Sequence, residues 1–419
     1  MATKELEALK TAARDAYLFT LPLVEIATTR SRGLVAGSPM NVFGHMRRLA
    51  DHTARAVTTP NNDTFYSTAQ VDLSQGPVTI NLPATGDRYV SLALMDAYTN
   101  NFAILGTRTT GPEGGTFTLV GPTEAAEGPN VVRSPTNHVW ALARILVDGP
   151  HDVEGAKAVQ HGLSMQGPAV ETPGPFAHRG APWDEYFETA ARLMAANPPR
   201  VEDRAFLASM APLGLSDFDA SRFSAEEAAA IEAGLAEGKI AARKGGLSGA
   251  GFIEGWSYPS ARLGNFGQDY GLRASVAVAG LAALPPEEAM YMRAEGDLPR
   301  ALFDGTRSWR LHFPASGLLP VHSFWSLSLY EATQDGQFFF TDNPLARYAI
   351  GDRTEGLVTN ADGSLDIWIG HEDPGGERTA NWLPAPAGPF ALFMRAYLPK
   401  TELLEGGYRL PPVVPADAG

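Results

Sequence analysis

Polar and aromatic side chains are concentrated in one short segment, Thr59-Pro-Asn-Asn-Asp-Thr-Phe-Tyr66. Side chains alternate across a strand, so Asn62 and Tyr66 would share one face and Asp63 would lie on the other. A carboxylate tuned by burial can act as a general acid or base. Asp63 is therefore a catalytic candidate, and Asn62 and Tyr66 are candidates for orienting a polar substrate. The alternative is an Asx turn that starts a strand, with Asp63 bonded to backbone amides.

A second polar segment, Asp96-Ala-Tyr-Thr-Asn-Asn101, follows a predicted strand. Strand ends often carry sites, because loops converge there. Asp96 is the second acid or base candidate, and Tyr98 and Asn100 are candidate substrate-binding residues. The alternative is an ordinary polar turn.

The C-terminal part of the chain contains Asn381-Trp382, an amide beside an indole. That combination suits a sugar ring or another flat polar ligand. The alternative is an indole that closes the end of a β domain. Trp325 and Arg395 are further candidates for contacts with a substrate.

Two arginines near residue 350 are candidates for binding a carboxylate as a clamp. Alternatively, these arginines form structural ion pairs with nearby aspartates. The arginines are Arg347 and Arg353, and the aspartates are Asp342 and Asp352.

Metal and cofactor motifs are weak in this sequence. His371, Glu372 and Asp373 are adjacent, whereas zinc sites usually gather distant ligands, with His322 the one distant candidate here. There is no His-Glu-x-x-His, no phosphate loop and no Gly-x-Ser-x-Gly. The glycine-rich stretch 245–251 follows a predicted helix, which favours a hinge. We expect no bound metal and no cofactor, and keep a metal-dependent enzyme as an alternative.

The composition is that of a folded globular protein. Of 419 residues, 44% are hydrophobic and 19% are charged, which allows two or three domains. The net charge of −14 disfavours nucleic acid and anionic membranes as partners. Cysteine is absent, so disulfides and thiolate chemistry are excluded. The acidic N-terminus does not fit a signal peptide and predicts a cytoplasmic protein, or a periplasmic or secreted one if a leader has been removed.

The period of the hydrophobic residues divides the chain into three parts. Residues 1–150 are predicted to be a helix over 3–30 followed by a β domain, and 301–419 a second β domain. Residues 151–300 are predicted to be mostly helical, with helices over 184–195, 224–244 and 269–284. Ser224 and Glu227 form a predicted capping box. No residue-level repeat is apparent between the two β domains.

Motifs typical of one family are spread over most of the chain: Thr59–Ser67, Gly86–Tyr89, Gly106–Gly111, Arg133–Trp140, Asn265–Tyr270, Ser323–Tyr330, Asp342–Tyr348, Gly351–Arg353, Asn360–Ser364 and Asn381–Pro386. Through these motifs the chain resembles bacterial proteins that combine domain of unknown function 1254 with domain of unknown function 1214. The resemblance implies two jelly-roll-like antiparallel β domains with helical additions, similar in outline to viral capsid subunits and some glycan-processing enzymes.

The residues and the resemblance lead to a hypothesis about function. The chain is expected to be an enzyme, hydrolase-like, that acts on a small polar or sugar-like molecule where the two β domains meet, since ligand sites are common at such junctions. The alternative is a non-catalytic binding protein or scaffold of tandem jelly-roll type. A homo-oligomer is compatible with both hypotheses.

Overall fold

A computed structural model describes residues 2–170, 176–245, 248–294 and 301–417. The fold is mainly β, with a long N-terminal helix and helical additions, as predicted from the sequence. The jelly-roll order of the strands stays a prediction. The α-helices are α1 (Ala2–Val35), α2 (Val153–Gly162), α3 (Trp183–Ala196), α4 (Arg204–Ser209), α5 (Ala225–Gly245), α6 (Tyr270–Ala279) and α7 (Thr401–Leu404).

The four helices predicted from hydrophobic periodicity are confirmed as α1, α3, α5 and α6. The capping box is also confirmed. Glu227 N donates to Ser224 Oγ at 3.3 Å, and Ser224 N donates to the Glu227 carboxylate at 2.8 Å. Of the stretch predicted as a hinge, Gly246 and Leu247 lie outside the described residues.

The first lobe consists of two packed sheets. One has the strand order β1-β2-β8-β4-β5 and the other β7-β6-β3-β9. Alternating burial along a strand, as in Val78–Leu82, turns one face of each sheet into their shared core. The strands are β1 (Gly44–Met46), β2 (Thr64–Asp72), β3 (Val78–Leu82), β4 (Val90–Asp96), β5 (Asn101–Gly106), β6 (Gly115–Val120), β7 (Val131–Arg133), β8 (His138–Leu146) and β9 (Ser164–Gln166).

The second lobe repeats this two-sheet plan. Its large sheet contains β10-β11-β12-β20-β15-β16, with β13 beside β20 and β17 beside β15, and its small sheet is β19-β18-β14-β21. The strands are β10 (Ser248–Ile253), β11 (Trp256–Pro259), β12 (Ala289–Ala294), β13 (Phe303–Asp304), β14 (Trp309–Phe313), β15 (Trp325–Ala332), β16 (Phe338–Phe339), β17 (Ala349–Gly351), β18 (Leu365–Gly370), β19 (Trp382–Pro384), β20 (Pro389–Tyr397) and β21 (Val413–Pro415).

Helix α1 packs against α5, α6 and α3. Their apolar side chains, including Phe19, Tyr186 and Leu235, form a core separate from the two sheet cores. The helical part therefore has its own source of hydrophobic stability.

The carboxylate of Asp72, at the end of β2, lies 3.4 Å from His138 Nε2. Burial alone would raise the pKa of Asp72, but hydrogen bonds with His138 and Ser74 outweigh it and lower the pKa to about 2. A folded-state pKa below the unfolded value stabilises the protein above about pH 4, and this contribution is lost as the pH falls toward 2. We expect Asp72→Asn to lower the thermal midpoint at neutral pH and to reduce its fall in acid. A pH series of melting curves measures this, with the exposed Asp87→Asn as the control that leaves the curve unchanged.

Candidate functional site

The outer faces of the two large sheets carry the same row of side chains. In the first lobe Arg144 on β8 lies between Tyr66 on β2 and Ser91 on β4, and Ser91 faces Gly106 on β5. In the second lobe the register gives Tyr291, Arg395, Ser326 and Gly351 on β12, β20, β15 and β17. Both rows therefore contain Tyr, Arg, Ser and Gly in the same order on neighbouring strands. This repeat follows the order of the strands in the sheet and not the order of residues in the chain.

The two rows face the junction between the lobes. Their neighbours on the alternate side of each pleat, such as Phe65 and Ile145 in the first lobe and Met394 in the second, belong to the lobe cores. Side chains from both lobes meet at the junction, where the rings of Tyr89 and Tyr397 are 5.3 Å apart. The junction is thus a partly polar layer between two apolar cores.

An acid stands three residues before the tyrosine of each row, Asp63 in the first lobe and Glu288 in the second, and an arginine stands two residues after each glycine. These groups pair across the junction. Arg108 donates to Glu288 at 2.6 Å, and Arg353 lies 3.6 Å from the Asp63 carboxylate. Each lobe therefore supplies an acid to the other lobe's arginine.

Burial shifts the ionisation of the groups around these pairs. It raises the pKa of Glu288, and the positive charge of Arg108 opposes that rise. It also raises the pKa of Tyr397 well above its usual range, with the nearby charge of Asp63 adding to the effect. Tyr397 is thus a protonated phenol that can donate to Asp63 at neutral pH.

A cleft of about 560 Å³ opens beside Asp63. Both lobes form its walls. The first lobe contributes Arg47–Asp51, Asn62, Asp63, Phe65, Val147–His151 and Val153, and the second contributes Ser326, Ala346, Tyr348–Gly351 and Arg353–Glu355. A concave site shared by two domains is a usual place for a ligand.

Asp63 lies at the inner end of this cleft with 5% of its surface exposed. One carboxylate oxygen accepts a hydrogen bond from Ser326 Oγ at 2.6 Å and one from the Tyr397 hydroxyl at 3.4 Å. The other oxygen faces Arg353. The Asx turn is made by Asn61, whose side-chain oxygen accepts from the amides of Asp63 and Thr64. That turn leaves the Asp63 carboxylate free to reach the second lobe.

Three other predicted residues lie near Asp63. Asn62 lines the cleft and donates to the Ala50 carbonyl at 2.5 Å. Tyr66 stacks with Arg144 of its own row. Arg395 is buried and donates to Ser328 Oγ at 2.7 Å and to the Thr59 carbonyl at 3.2 Å. The first motif and Arg395 are therefore brought together at the junction.

The second motif forms a separate polar turn. Asp96 accepts from the amides of Tyr98 and Asn100, and burial raises its pKa. The Tyr98 hydroxyl donates to the Asn197 carbonyl. Arg273, which is fully buried, lies with its guanidinium 5.5 Å from the Tyr98 ring and interacts with the Asp96 charge. None of these residues lines the cleft beside Asp63.

The third group stays inside the second lobe. Asn381 accepts from Val358 N and donates to the carbonyls of Val358 and Asp366, which ties three segments together. Trp382 is 4% exposed and donates to the Gly370 carbonyl. Trp325 packs against Phe313 in the lobe core. These three residues are likewise absent from the cleft lining.

The hydrogen bonds and short ion pairs found for the two arginines predicted as a clamp are with groups other than Asp342 and Asp352, although the charge of Arg353 also acts on the Asp352 carboxyl. Arg347 donates to backbone carbonyls, including that of Trp382. Arg353 lies near Asp63 and Asp148 of the first lobe. Only Arg353 faces the candidate acid.

Sequence reasoning missed Ser326, Tyr348 and Tyr397 as residues of this site. Ser326 and Tyr397 lie in runs that read as ordinary strands, and their partners are more than 260 residues away along the chain. The spacing of acid, tyrosine, glycine and arginine in both lobes was the available signal, and it requires the strand register to be recognised.

No group of three histidine or acidic side chains is placed to hold a metal ion among the described residues. His371 lies 4.0 Å from Glu372, and its other ring nitrogen is 3.0 Å from the Ala385 carbonyl oxygen. In the same part of the chain, no helix has the length and apolar character needed to span a bilayer.

Comparison with known proteins places the chain in a family. Residues 40–167 match DUF1254 and residues 288–401 match DUF1214, each described as a protein of unknown function. A comparison with curated proteins gives no match.

One solved structure shows the same fold. The VPA0106 protein from Vibrio parahaemolyticus has a TM-score of 0.74 at 21% identity, over 98% of this chain and 100% of that one. A Burkholderia cenocepacia protein has a TM-score of 0.47 at 13% identity, over 99% of this chain and 94% of that one. With the two domain matches covering more than half of its length, the chain belongs to the family of proteins that join an N-terminal DUF1254 domain to a C-terminal DUF1214 domain.

Proposed function

We propose that the chain is a hydrolase-like enzyme that acts on a small polar or sugar-like molecule in the cleft between the lobes. The observation that carries the proposal is Asp63. It is a buried carboxylate at the inner end of a cleft built by both lobes, held by Ser326 and facing Arg353.

The groups around the cleft suit hydrolysis of a polar substrate. Asp63 accepts a proton from a water molecule as the water oxygen attacks the electrophilic carbon. The bond from that carbon to the leaving oxygen or nitrogen then breaks, and the leaving atom takes up the proton from Asp63. Arg353 stabilises negative charge that develops on the substrate. Asn62 offers an amide and Tyr348 an aromatic ring for binding hydroxyl-bearing molecules.

The charged side chains at the cleft support a polar ligand. Arg47 and Arg48 are exposed on its wall and make no hydrogen bond or ion pair with the described part of the chain. The same lining contains the carboxylates of Asp51, Asp148 and Glu355, so the cleft presents charges of both signs to a polar ligand.

The test is turnover of a panel of small esters, amides and glycosides by the purified full-length chain, measured by mass spectrometry. We expect Asp63→Asn to lower the rate about 100-fold or more, the usual contribution of a general base. The matched control is Glu288→Gln, which changes the corresponding acid of the second lobe outside the cleft and is expected to retain the rate. Failure of the parent to convert any member of the panel, or equal rates for the parent and Asp63→Asn, would contradict the proposal.

A second candidate function is a non-catalytic binding or scaffold protein. The paired acids favour it, since Glu288 and Arg108 join the lobes without lining the cleft, and Asp63 and Arg353 are their counterparts. If Asp63→Asn and Glu288→Gln lower stability to the same extent and no turnover is found, Asp63 is a structural link and this function is favoured.

A further inference from the structure

Arg144 and Arg395 hold the same place in the two rows, but their guanidinium groups differ in hydrogen bonding. Both terminal nitrogens of Arg395 donate, one to Ser328 and one to the Thr59 carbonyl. In Arg144, Nη2 donates to the Ala282 carbonyl at 2.8 Å, whereas the buried Nη1 has no hydrogen-bond partner among the residues that the structure describes. Arg144 is only 6% exposed, and an unsatisfied buried donor is destabilising.

The difference arises from one position in the repeat. Ser328, which satisfies Arg395, lies two residues after the serine of its row, and Ala93 lies two residues after Ser91. Residues two apart on a strand share a face, so Ala93 stands where the first lobe would need a hydroxyl. Glu288 interacts electrostatically with Arg144, but its hydrogen bonds are made with Arg108 and Tyr89.

The surroundings of Arg144 are aromatic and apolar. The ring of Tyr66 lies 5.5 Å from its guanidinium carbon, and Tyr291 of the second lobe interacts electrostatically with it. Tyr66 is half-buried, and its hydroxyl makes no hydrogen bond with the described residues. Beside it lies an apolar cluster of Met95, Leu142 and Ala282. A buried guanidinium nitrogen without a hydrogen-bond partner in the described part of the chain, beside a buried apolar cluster, suits a carboxylate on an apolar body.

We propose that Arg144 binds the carboxylate of a small aromatic or branched aliphatic acid at the lobe junction. Arg144 Nη1 and the Tyr66 hydroxyl donate to the carboxylate oxygens, and the cluster around Leu142 contacts the apolar body. This site uses the Arg144 row, and it does not depend on the hydrolase proposal for Asp63.

Calorimetric titration of the full-length chain with benzoate tests the site, with benzamide as the uncharged probe of the same shape. We expect benzoate to bind at least tenfold more tightly than benzamide at constant ionic strength. Ala93→Ser supplies the missing hydroxyl to Nη1 and is expected to weaken benzoate binding at least tenfold without lowering the thermal midpoint. Tyr66→Phe removes one donor and is expected to weaken binding by a smaller factor.

Arg144→Met should abolish binding, and Arg378→Met, which removes an exposed arginine stacked on Trp368, is the matched charge control that keeps it. If Arg144→Met does not fold, Ala93→Ser and Tyr66→Phe decide. Equal affinities for benzoate and benzamide, no heat at millimolar benzoate, or unchanged binding by folded Ala93→Ser would each overturn the proposal. Activity is not part of this test, so its result is independent of any result for Asp63.

Discussion

Replacement of Trp382 by alanine is expected to lower the free energy of unfolding by about 3–5 kcal/mol, the usual cost of removing a buried tryptophan. Trp382 is 4% exposed and pairs with Trp368 across β18 and β19. Its indole nitrogen donates to the Gly370 carbonyl at 2.9 Å. The variant loses both the packing and this hydrogen bond. Urea denaturation at neutral pH measures the difference.

Two further variants separate the contributions. Trp382→Phe keeps most of the apolar volume and loses the hydrogen bond, so a loss of about 1 kcal/mol is expected for that bond. Trp368→Ala removes a half-buried tryptophan from the same sheet and should cost clearly less than Trp382→Ala. Unchanged stability of Trp382→Ala together with lost binding of a small polar ligand would instead establish Trp382 as a ligand-stacking residue.

The helices and strands could be predicted from the sequence because they depend on local periodicity. Helix α5 has a capping box within four residues, and strand β3 shows its alternation within five. The role of a polar motif could not be predicted in the same way. Asn61–Tyr66 and Asn381–Trp382 look equally suited to a ligand, yet Asp63 bonds to Ser326 of the second lobe, whereas Asn381 bonds to Val358 and Asp366 of its own lobe.

The repeat between the lobes is invisible along the chain for a physical reason. The residues of each row lie opposite one another on hydrogen-bonded strands, and the segments that connect those strands differ in length between the two lobes. Tyr66 and Arg144 are 78 residues apart in sequence, whereas Tyr291 and Arg395 are 104 apart, although each pair is directly opposite in its sheet. Strand register depends on tertiary packing, and a single sequence does not show it directly.

Replacement of Arg108 by methionine is expected to destabilise the protein by about 3 kcal/mol near neutral pH, because removing one partner of a buried ion pair strands the other charge. The Glu288 side chain is 1% exposed and would keep the Tyr89 hydroxyl as donor and the charge of Arg144, whereas Arg108 is 33% exposed. The loss should shrink as the pH falls toward about 5. Without Arg108, the pKa of Glu288 in the folded protein lies still further above its value in the unfolded chain. This difference destabilises the protein at a pH where Glu288 of the unfolded chain is ionised, and the effect decreases as the pH falls toward that unfolded value.

The double variant Arg108→Met with Glu288→Gln removes both charges and is expected to recover much of this loss, since a neutral side chain is cheaper to bury than an unpaired carboxylate. Arg353→Met is the matched change in the second lobe. It should cost less, because Ser326 and Tyr397 still donate to Asp63. Urea denaturation of the three variants at about pH 7 and pH 5 gives the comparison. Changes within about 0.5 kcal/mol for both single arginine variants would show that the exchanged acid–arginine pairs do not hold the lobes together.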